Sequence, residues 1–161
     1  MFSALQPIVY IQVSPEHLVL RNLKTGQTIS EVPEIAISAP PKPRVIAVGS
    51  QAKTTTESHS ATIINPFCHP RSLVSDFTVA MLLLKHQLHR VAGSSWLSVA
   101  PYVVIHPMGS PVGGFTQIER RVFREMALGA GASQVHVWTG RALTDQELLS
   151  KQPPISGGEW E

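Results

Sequence analysis

Residues 114–121 read Gly-Phe-Thr-Gln-Ile-Glu-Arg-Arg, and this stretch decides how the second half of the chain folds. Thr116 and Glu119 have the spacing of a capping box, in which a hydroxyl and a carboxylate bond to amides that the first helical turn leaves free. A new helix is therefore predicted after Thr116, ending at the Gly-Ala-Gly of residues 129–131. Its core-facing side is expected to carry three apolar residues at helical spacing: Ile118, Val122 and Met126.

Strand patterns precede and follow this helix. Residues 102–105 form a wholly apolar run bounded by prolines, which is typical of a central strand covered on both faces. Residues 135–137 alternate apolar and polar side chains, as in a final strand. The Thr-Asp-Gln-Glu of residues 144–147 repeats the capping-box pattern and predicts a short last helix through Leu149.

The first 48 residues have the pattern of an antiparallel strand meander, because short β-rich segments alternate with turn signals. The Lys-Thr-Gly of residues 24–26 is short enough to close a hairpin with Gly26 in a left-handed conformation. The Thr- and Ser-rich residues 54–60 are expected to be a loop or a short frayed helix. The expected strands are residues 8–13, 17–23, 27–30, 34–38 and 45–48.

A long helix is predicted between residues 77 and 91, with Ser75 or Asp76 as its cap. Basic side chains near its end suit the negative pole of the helix dipole. Taken together, the elements indicate an α/β fold with a mixed sheet, an N-terminal antiparallel meander and flanking helices. Five apolar residues define one face of the long helix: Phe77, Met81, Leu84, Leu88 and Val91.

Several of these segments resemble the bacterial actin-like, rod shape-determining MreB family. Residues 114–121 resemble the family's Gly-x-Thr-x-(Val/Ile)-Glu-Arg-Arg helix, and residues 129–132 its Gly-Ala-Gly-Ala turn. The resemblance extends to about Thr139, corresponds to the family's first subdomain only, and implies a ribonuclease H-like, actin-like ATPase subdomain as the fold. Three further elements match in the family's order: residues 31–37, 47–53 and 74–77.

The resemblance also implies that the family's ATPase chemistry is lost. The family holds ATP between two lobes with glycine-rich hairpins, and a carboxylate in the first hairpin helps to hold the metal. The family's Asp-x-Gly-Thr falls on residues where Gln12 replaces the carboxylate, Ser14 replaces the glycine and Pro15 has no amide to donate. We expect that the tight phosphate turn does not form, that no nucleotide or other cofactor binds, and that the chain is not an enzyme.

Two other positions bear on this expectation. Glu119 matches the glutamate with which the family orients the attacking water, but we interpret it as a helix cap, since capping accounts for it without a substrate. The family's Glu-Glu-Pro after the last strand is replaced by Thr139, Gly140 and Arg141. The second hairpin, the adenosine pocket and the facing lobe fall outside the matched part of the family.

Other reactive side chains lack a catalytic or metal-binding pattern. His86 and His89, with the distant Cys68 and His69, fall short of the converging ligands that zinc needs. The Gly-rich residues 109–114 precede a helix but lack the Gly-Lys-Ser/Thr of a phosphate loop. No nucleophile signature surrounds any of the candidate nucleophiles, which are Cys68, Ser94, Ser95 and Ser110.

Composition narrows the function classes. A chain of 161 residues with 43% hydrophobic and 15% charged residues fits one globular domain, expected over residues 1–152, with a disordered tail at 153–161. A net charge of +2 is too small for a nucleic-acid binder. One cysteine, no signal-peptide pattern and no long apolar run favour the cytoplasm and no membrane span.

Several functional hypotheses stay open at this point. The first is a non-catalytic protein-protein interaction module linked to the bacterial cytoskeleton and cell shape, which binds an MreB-type filament protein or forms a homodimer. Its candidate docking residues are the basic face of Arg120, Arg121 and Arg124. The others are half of a split actin-like ATPase completed by another chain, a small ligand-binding domain that reuses the scaffold, and a decayed family member without a present role.

Overall fold

A computed structural model describes residues 5–56, 60–93 and 99–161, and within them nine strands and four helices form two sheets with flanking helices. The strands are β1 (Ile8–Val13), β2 (Leu18–Asn22), β3 (Thr28–Glu31), β4 (Ile35–Ser38), β5 (Val45–Val48), β6 (Ala61–Ile64), β7 (Tyr102–Pro107), β8 (Gln134–Gly140) and β9 (Gly158–Trp160). The helices are α1 (Gln51–Thr56), α2 (Phe77–Ala92), α3 (Gln117–Gly129) and α4 (Asp145–Ser150).

The larger sheet has the strand order β3-β2-β1-β7-β8-β9. Its first three strands form an antiparallel meander, and Gly26 closes the β2–β3 hairpin at a φ of 77°, as predicted. β1, β7 and β8 run parallel, so β7 lies between two parallel neighbours. All six residues of β7 are buried, which confirms the predicted central strand.

The predicted five-strand meander is wrong in its second half. β4 leaves the main sheet and becomes the central strand of a separate antiparallel sheet of order β5-β4-β6. Pro33 lies just before β4 and has no amide to continue the β2–β3 ladder. Ile35 and Ala36 are fully buried between their new neighbours, so the smaller sheet forms around the most apolar part of this segment.

Both long helices cover one face of the larger sheet, and α4 covers the other. Asp76 caps α2 by accepting a bond from the Val79 amide, as expected. The capping box of α3 is present, but its predicted core face is wrong at one end, because Ile118 is 76% exposed. The helix buries Phe123, Ala127 and the predicted Met126, and the predicted Val122 packs partly buried against the same core.

The carboxyl-terminal residues 153–161 were expected to be a disordered tail, and this prediction is wrong. Residues 158–160 form β9, which pairs antiparallel with the edge of β8. Trp160 stacks on His136 with ring centroids 4.8 Å apart, so this short segment gains an apolar anchor beside its backbone bonds. In the described part of the chain, no helix is both long and apolar enough to span a membrane.

Candidate functional site

The carboxyl ends of β1 and β7 meet at one edge of the sheet, because the two strands are parallel neighbours. Ligands of open α/β sheets commonly bind in such a crevice. A cavity of about 250 Å³ lies there, between Pro15, Met108, Arg71 and Glu119. The structure therefore brings Pro15 and Glu119, which lie far apart in the sequence, to the same crevice.

The turn between β1 and β2 at this crevice is tight, and its backbone amides form hydrogen bonds within the turn itself. The Ser14 amide donates to the His17 carbonyl oxygen at 2.9 Å, and the His17 amide donates to Ser14 Oγ at 2.9 Å. A hairpin tolerates Pro15 here, at a position that needs no amide. Residues 14, 15 and 17 therefore have no free amide to offer an anion: Ser14 and His17 use theirs within the turn, and Pro15 has none. That this turn does not bind phosphate stays a prediction.

Gln12 occupies the end of β1 without offering a carboxylate. Its side-chain Nε2 donates to Met108 Sδ at 3.7 Å, a contact between β1 and the residue after β7. A neutral amide in this position cannot balance the charge of a divalent cation as a carboxylate does. Gln12 therefore places a neutral amide, and not a carboxylate, at this end of β1.

Glu119 is half-buried and closed into its capping box. One carboxylate oxygen accepts bonds from the Thr116 amide at 2.7 Å and from Thr116 Oγ1 at 2.9 Å. The Glu119 amide donates in return to Thr116 Oγ1 at 3.2 Å. The predicted capping box is confirmed, and the carboxylate oxygen that makes these bonds is turned to its own helix terminus.

A buried hydrogen-bond chain lies beside the crevice, on the opposite face of the sheet from α2 and α3. His106 Nε2 lies 3.0 Å from the Gly140 carbonyl oxygen, which can only accept, so Nε2 carries the proton. The Tyr10 hydroxyl then donates to His106 Nδ1 at 2.6 Å and accepts from the Leu143 amide at 3.4 Å. Sequence reasoning missed this chain, because nothing in the order of residues shows that Tyr10 and His106 lie on adjacent strands.

Burial governs the ionisation of this chain. It lowers the pKa of His106 below the ordinary 6.5, although the bond to the Gly140 carbonyl works in the opposite direction. Burial also raises the pKa of Tyr10 above its ordinary 10.0. Both groups are therefore neutral at physiological pH, and the chain serves to join β1, β7 and the end of β8.

The residues that replace the family's Glu-Glu-Pro have structural partners. Arg141 forms an ion pair with Glu147 of α4, and the Glu147 carboxylate also accepts a bond from the Thr144 amide at 2.9 Å. The bond from Arg141 is the main reason why the pKa of Glu147 falls to about 2. This corner thus ties the end of β8 to α4.

The three arginines of α3 do not form one basic face. Arg120 pairs with Glu159 and Glu161 of the carboxyl-terminal segment, and only 20% of its side chain is exposed. Arg121 and Arg124 stay exposed and line a shallow groove of about 540 Å³. The predicted docking residues are therefore divided between an internal ion-pair site and a surface.

An apolar groove of about 340 Å³ lies next to this surface, between α2 and the start of α3. Phe77 is 41% exposed there and Ile118 is 76% exposed, both high fractions for large apolar side chains. Because Ile118 lines both this groove and the one with Arg121 and Arg124, the two grooves form one continuous docking face.

The remaining candidates stay scattered. His86 and His89 are exposed on α2, and within the described ranges no group of three or more His, Cys, Asp or Glu side chains could hold a metal ion. Cys68 is exposed. Ser94 and Ser95 lie outside the described residues. The Gly-rich residues 109–114 border a cavity of about 550 Å³ that is also lined by Arg120 and Glu159, which pair with each other.

The fold and the crevice define the class as the first subdomain of an actin-like protein. The structure of MreB5 of Spiroplasma citri bound to ADP superimposes with a TM-score of 0.63 at 19% identity, over 82% of this chain and 37% of that chain. A MamK double helical filament gives a TM-score of 0.58 at 13% identity, over 81% and 40%. The predicted fold is thereby confirmed.

The family follows from sequence comparison. The family model for the MreB/Mbl protein matches residues 18–143, and the chain belongs to this family. The cell shape-determining protein MreB of Escherichia coli (strain K12) is 35% identical over 91 residues, which are 56% of this chain. The match spans 25% of the length of that relative, so the chain corresponds to a part of its curated relatives.

Proposed function

We propose that this chain is a non-catalytic, actin-like module that binds an MreB-type filament protein in the cytoplasm and so acts on the bacterial cytoskeleton and cell shape. The observation that carries the proposal is the docking face that continues from Phe77 through Ile118 to Arg121 and Arg124. The crevice beside it, where Gln12 stands in place of a carboxylate, supports the non-catalytic part of the proposal.

Three features of the crevice support a role without ATP turnover. Gln12 offers no carboxylate for a metal ion. The amides of Ser14 and His17 are bonded within their own turn, and Pro15 has none. The Glu119 carboxylate bonds to the amide and hydroxyl of Thr116. An ATPase of this type needs a held metal, wrapped phosphates and an oriented water, and each feature supports the proposal that one of these is lost.

The docking face supports a protein partner. Its centre is apolar, with Phe77, Ile118 and Val122. Its rim is charged and carries Arg121 and Arg124 together with Glu125 and Glu161. An apolar centre with a charged rim is the usual arrangement of a protein-protein interface. Filament formation by MamK, a protein of the same fold, makes a filament subunit the natural partner, with acidic groups opposite the two arginines.

The first experiment is co-sedimentation of the purified chain with a full-length MreB-type filament protein. We expect binding that Ile118→Asp weakens by at least about tenfold, since a charge in the apolar centre of an interface is costly. Ile155→Asp is the matched control, because Ile155 is a fully exposed isoleucine that lies away from this face, in the loop after α4. No co-sedimentation of the wild-type chain, or equal loss with both variants, would contradict the proposal.

Calorimetry with Mg-ATP tests the other half of the proposal. We expect no heat of binding from the wild-type chain. Binding with a Kd of about 1 μM would show a retained nucleotide site and would favour half of a split ATPase completed by another chain. In that case Glu119→Gln should abolish turnover in the completed assembly without changing the affinity for ATP.

A further inference from the structure

The edge of β8 forms a slot into which the carboxyl-terminal strand fits. Val137 and Glu161 exchange two backbone bonds, at 2.8 Å and 3.0 Å, and the Arg141 amide donates to the Gly157 carbonyl oxygen at 3.0 Å. Three residues, Gly158 to Trp160, form the strand proper. The backbone bonds therefore set the register of the strand but would hold any extended peptide.

The side chains around the slot select a particular sequence. A Cβ atom at Gly158 would come within 2.2 Å of the Thr139 carbonyl oxygen and 2.6 Å of the Trp138 ring, so only glycine fits there. Two residues later, Trp160 stacks on His136 and lies 6.5 Å from the Trp138 ring. The slot thus accepts a glycine at one end and a large aromatic ring at the other.

Charge adds a third requirement. Arg120 on α3 pairs with Glu159, and its Nε lies 3.6 Å from Glu161 Oε2. The Nε atom is buried and makes no hydrogen bond in the described part of the chain, so the guanidinium depends on these two carboxylates. The slot therefore fits the sequence Gly-acidic-Trp-acidic, which is the sequence of residues 158–161.

The linker before the strand contributes little to holding it. Lys151 holds the start of the linker, because its Nζ donates to Gln6 Oε1 at 3.0 Å and lies over the Tyr102 ring. Beyond Lys151 the chain is mostly exposed up to β9, Ile155 is fully exposed, and Arg141 bonds to Ser156 and Gly157. Pro153 and Pro154 stiffen the linker, which lowers the entropic preference for docking on the chain's own slot. Seven residues, 151–157, can extend over about 23 Å, far enough to reach a neighbouring molecule.

We propose that the slot is a site of strand exchange, in which two copies of this chain trade their carboxyl-terminal strands and form a dimer. Docking onto the second copy makes the same backbone, ring and ion-pair contacts as docking within one chain. The length and stiffness of the linker and the local concentration of the chain set the balance between docking within one chain and docking on a second copy. This inference does not depend on the proposed filament partner, because it concerns which molecule supplies the strand. The two surfaces meet at Glu161, which also lines the groove of Arg121 and Arg124.

A charge-reversal pair tests the exchange. In Arg120→Glu the slot and its own strand carry like charges, and in the double variant Glu159→Arg/Glu161→Arg the same holds with the signs reversed. Only in an equal mixture does each slot meet a complementary strand, and that strand belongs to the other molecule. By sedimentation at about millimolar concentration we expect each variant alone to be monomeric and the mixture to have about twice the mass.

A chain with all three changes is the matched control, since it regains complementary charges within one molecule and should behave as the wild type does. Circular dichroism checks that every variant is folded. If the mixture stays monomeric although the variants are folded, strand exchange is wrong.

A labelled peptide of residues 156–161 tests the slot separately, on the variant Glu159→Arg/Glu161→Arg, whose own strand is repelled. The peptide should bind, and a valine in place of its second glycine, the one that corresponds to Gly158, should weaken binding at least about tenfold. Failure of the unmodified peptide to bind would also overturn the proposal.

Discussion

The Tyr10 hydroxyl donates a hydrogen bond of 2.6 Å to Nδ1 of His106, and this buried bond joins the first strand of the sheet to its central strand. Through Nε2 and the Gly140 carbonyl oxygen the chain continues to the end of β8. All three parallel strands are thereby linked at the edge that forms the crevice.

Removal of the Tyr10 hydroxyl should destabilise the protein. In Tyr10→Phe the buried Nδ1 of His106 loses its donor, and the free energy of unfolding should fall by about 1–3 kcal/mol. Urea denaturation at neutral pH measures the change. Tyr102→Phe is the control, since the Tyr102 hydroxyl is buried without a partner among the described residues and its removal should be neutral or slightly stabilising. Equal losses in the two variants would contradict the assigned bond.

His106 should make stability depend on pH. Because its pKa is lower in the folded state than the ordinary 6.5, the unfolded chain binds more protons just below pH 6.5. The free energy of unfolding should therefore fall as the pH drops from 6.5 towards the lower folded pKa, and should be level above 6.5 as far as this group is concerned. His106→Asn should flatten part of this slope in denaturation measured between pH 5 and 8.

The part of the slope that remains in this variant belongs partly to His136, whose pKa is also lowered by burial. His136→Asn is therefore measured beside it. An unchanged slope in His106→Asn would contradict the neutral, buried state assigned to His106.

The capping box of α3 predicts a contrast between two substitutions. Thr116→Ala removes the hydroxyl that bonds to the Glu119 amide and should cost about 1 kcal/mol. Glu119→Gln keeps an acceptor for the Thr116 amide and should change stability by less than about 0.5 kcal/mol. Thermal unfolding of both variants beside the wild type measures this. A large loss in Glu119→Gln would mean that the negative charge itself is needed at this site.

The parts of the fold that could be predicted rest on local signals. Two helix starts could be predicted because each capping box is completed within four residues. The pairs are Thr116 with Glu119 and Thr144 with Glu147. The apolar run at residues 102–105 predicts a central strand because it has no polar face. The side of α3 that faces the core was not predictable in this way, since Ile118 and Phe123 are both apolar and only the sheet selects between them.

By itself, the sequence determined the family, the order of most elements and the capped helices. These follow from short-range rules and from motif spacing along the chain. Only the tertiary structure decided that β4 leaves the main sheet, that residues 158–160 dock on β8, that Arg120 is separated from Arg121, and that Tyr10 meets His106. Each of these features depends on contacts between residues far apart in the chain. The free energy of such contacts cannot be read from any one segment, because it depends on both partners.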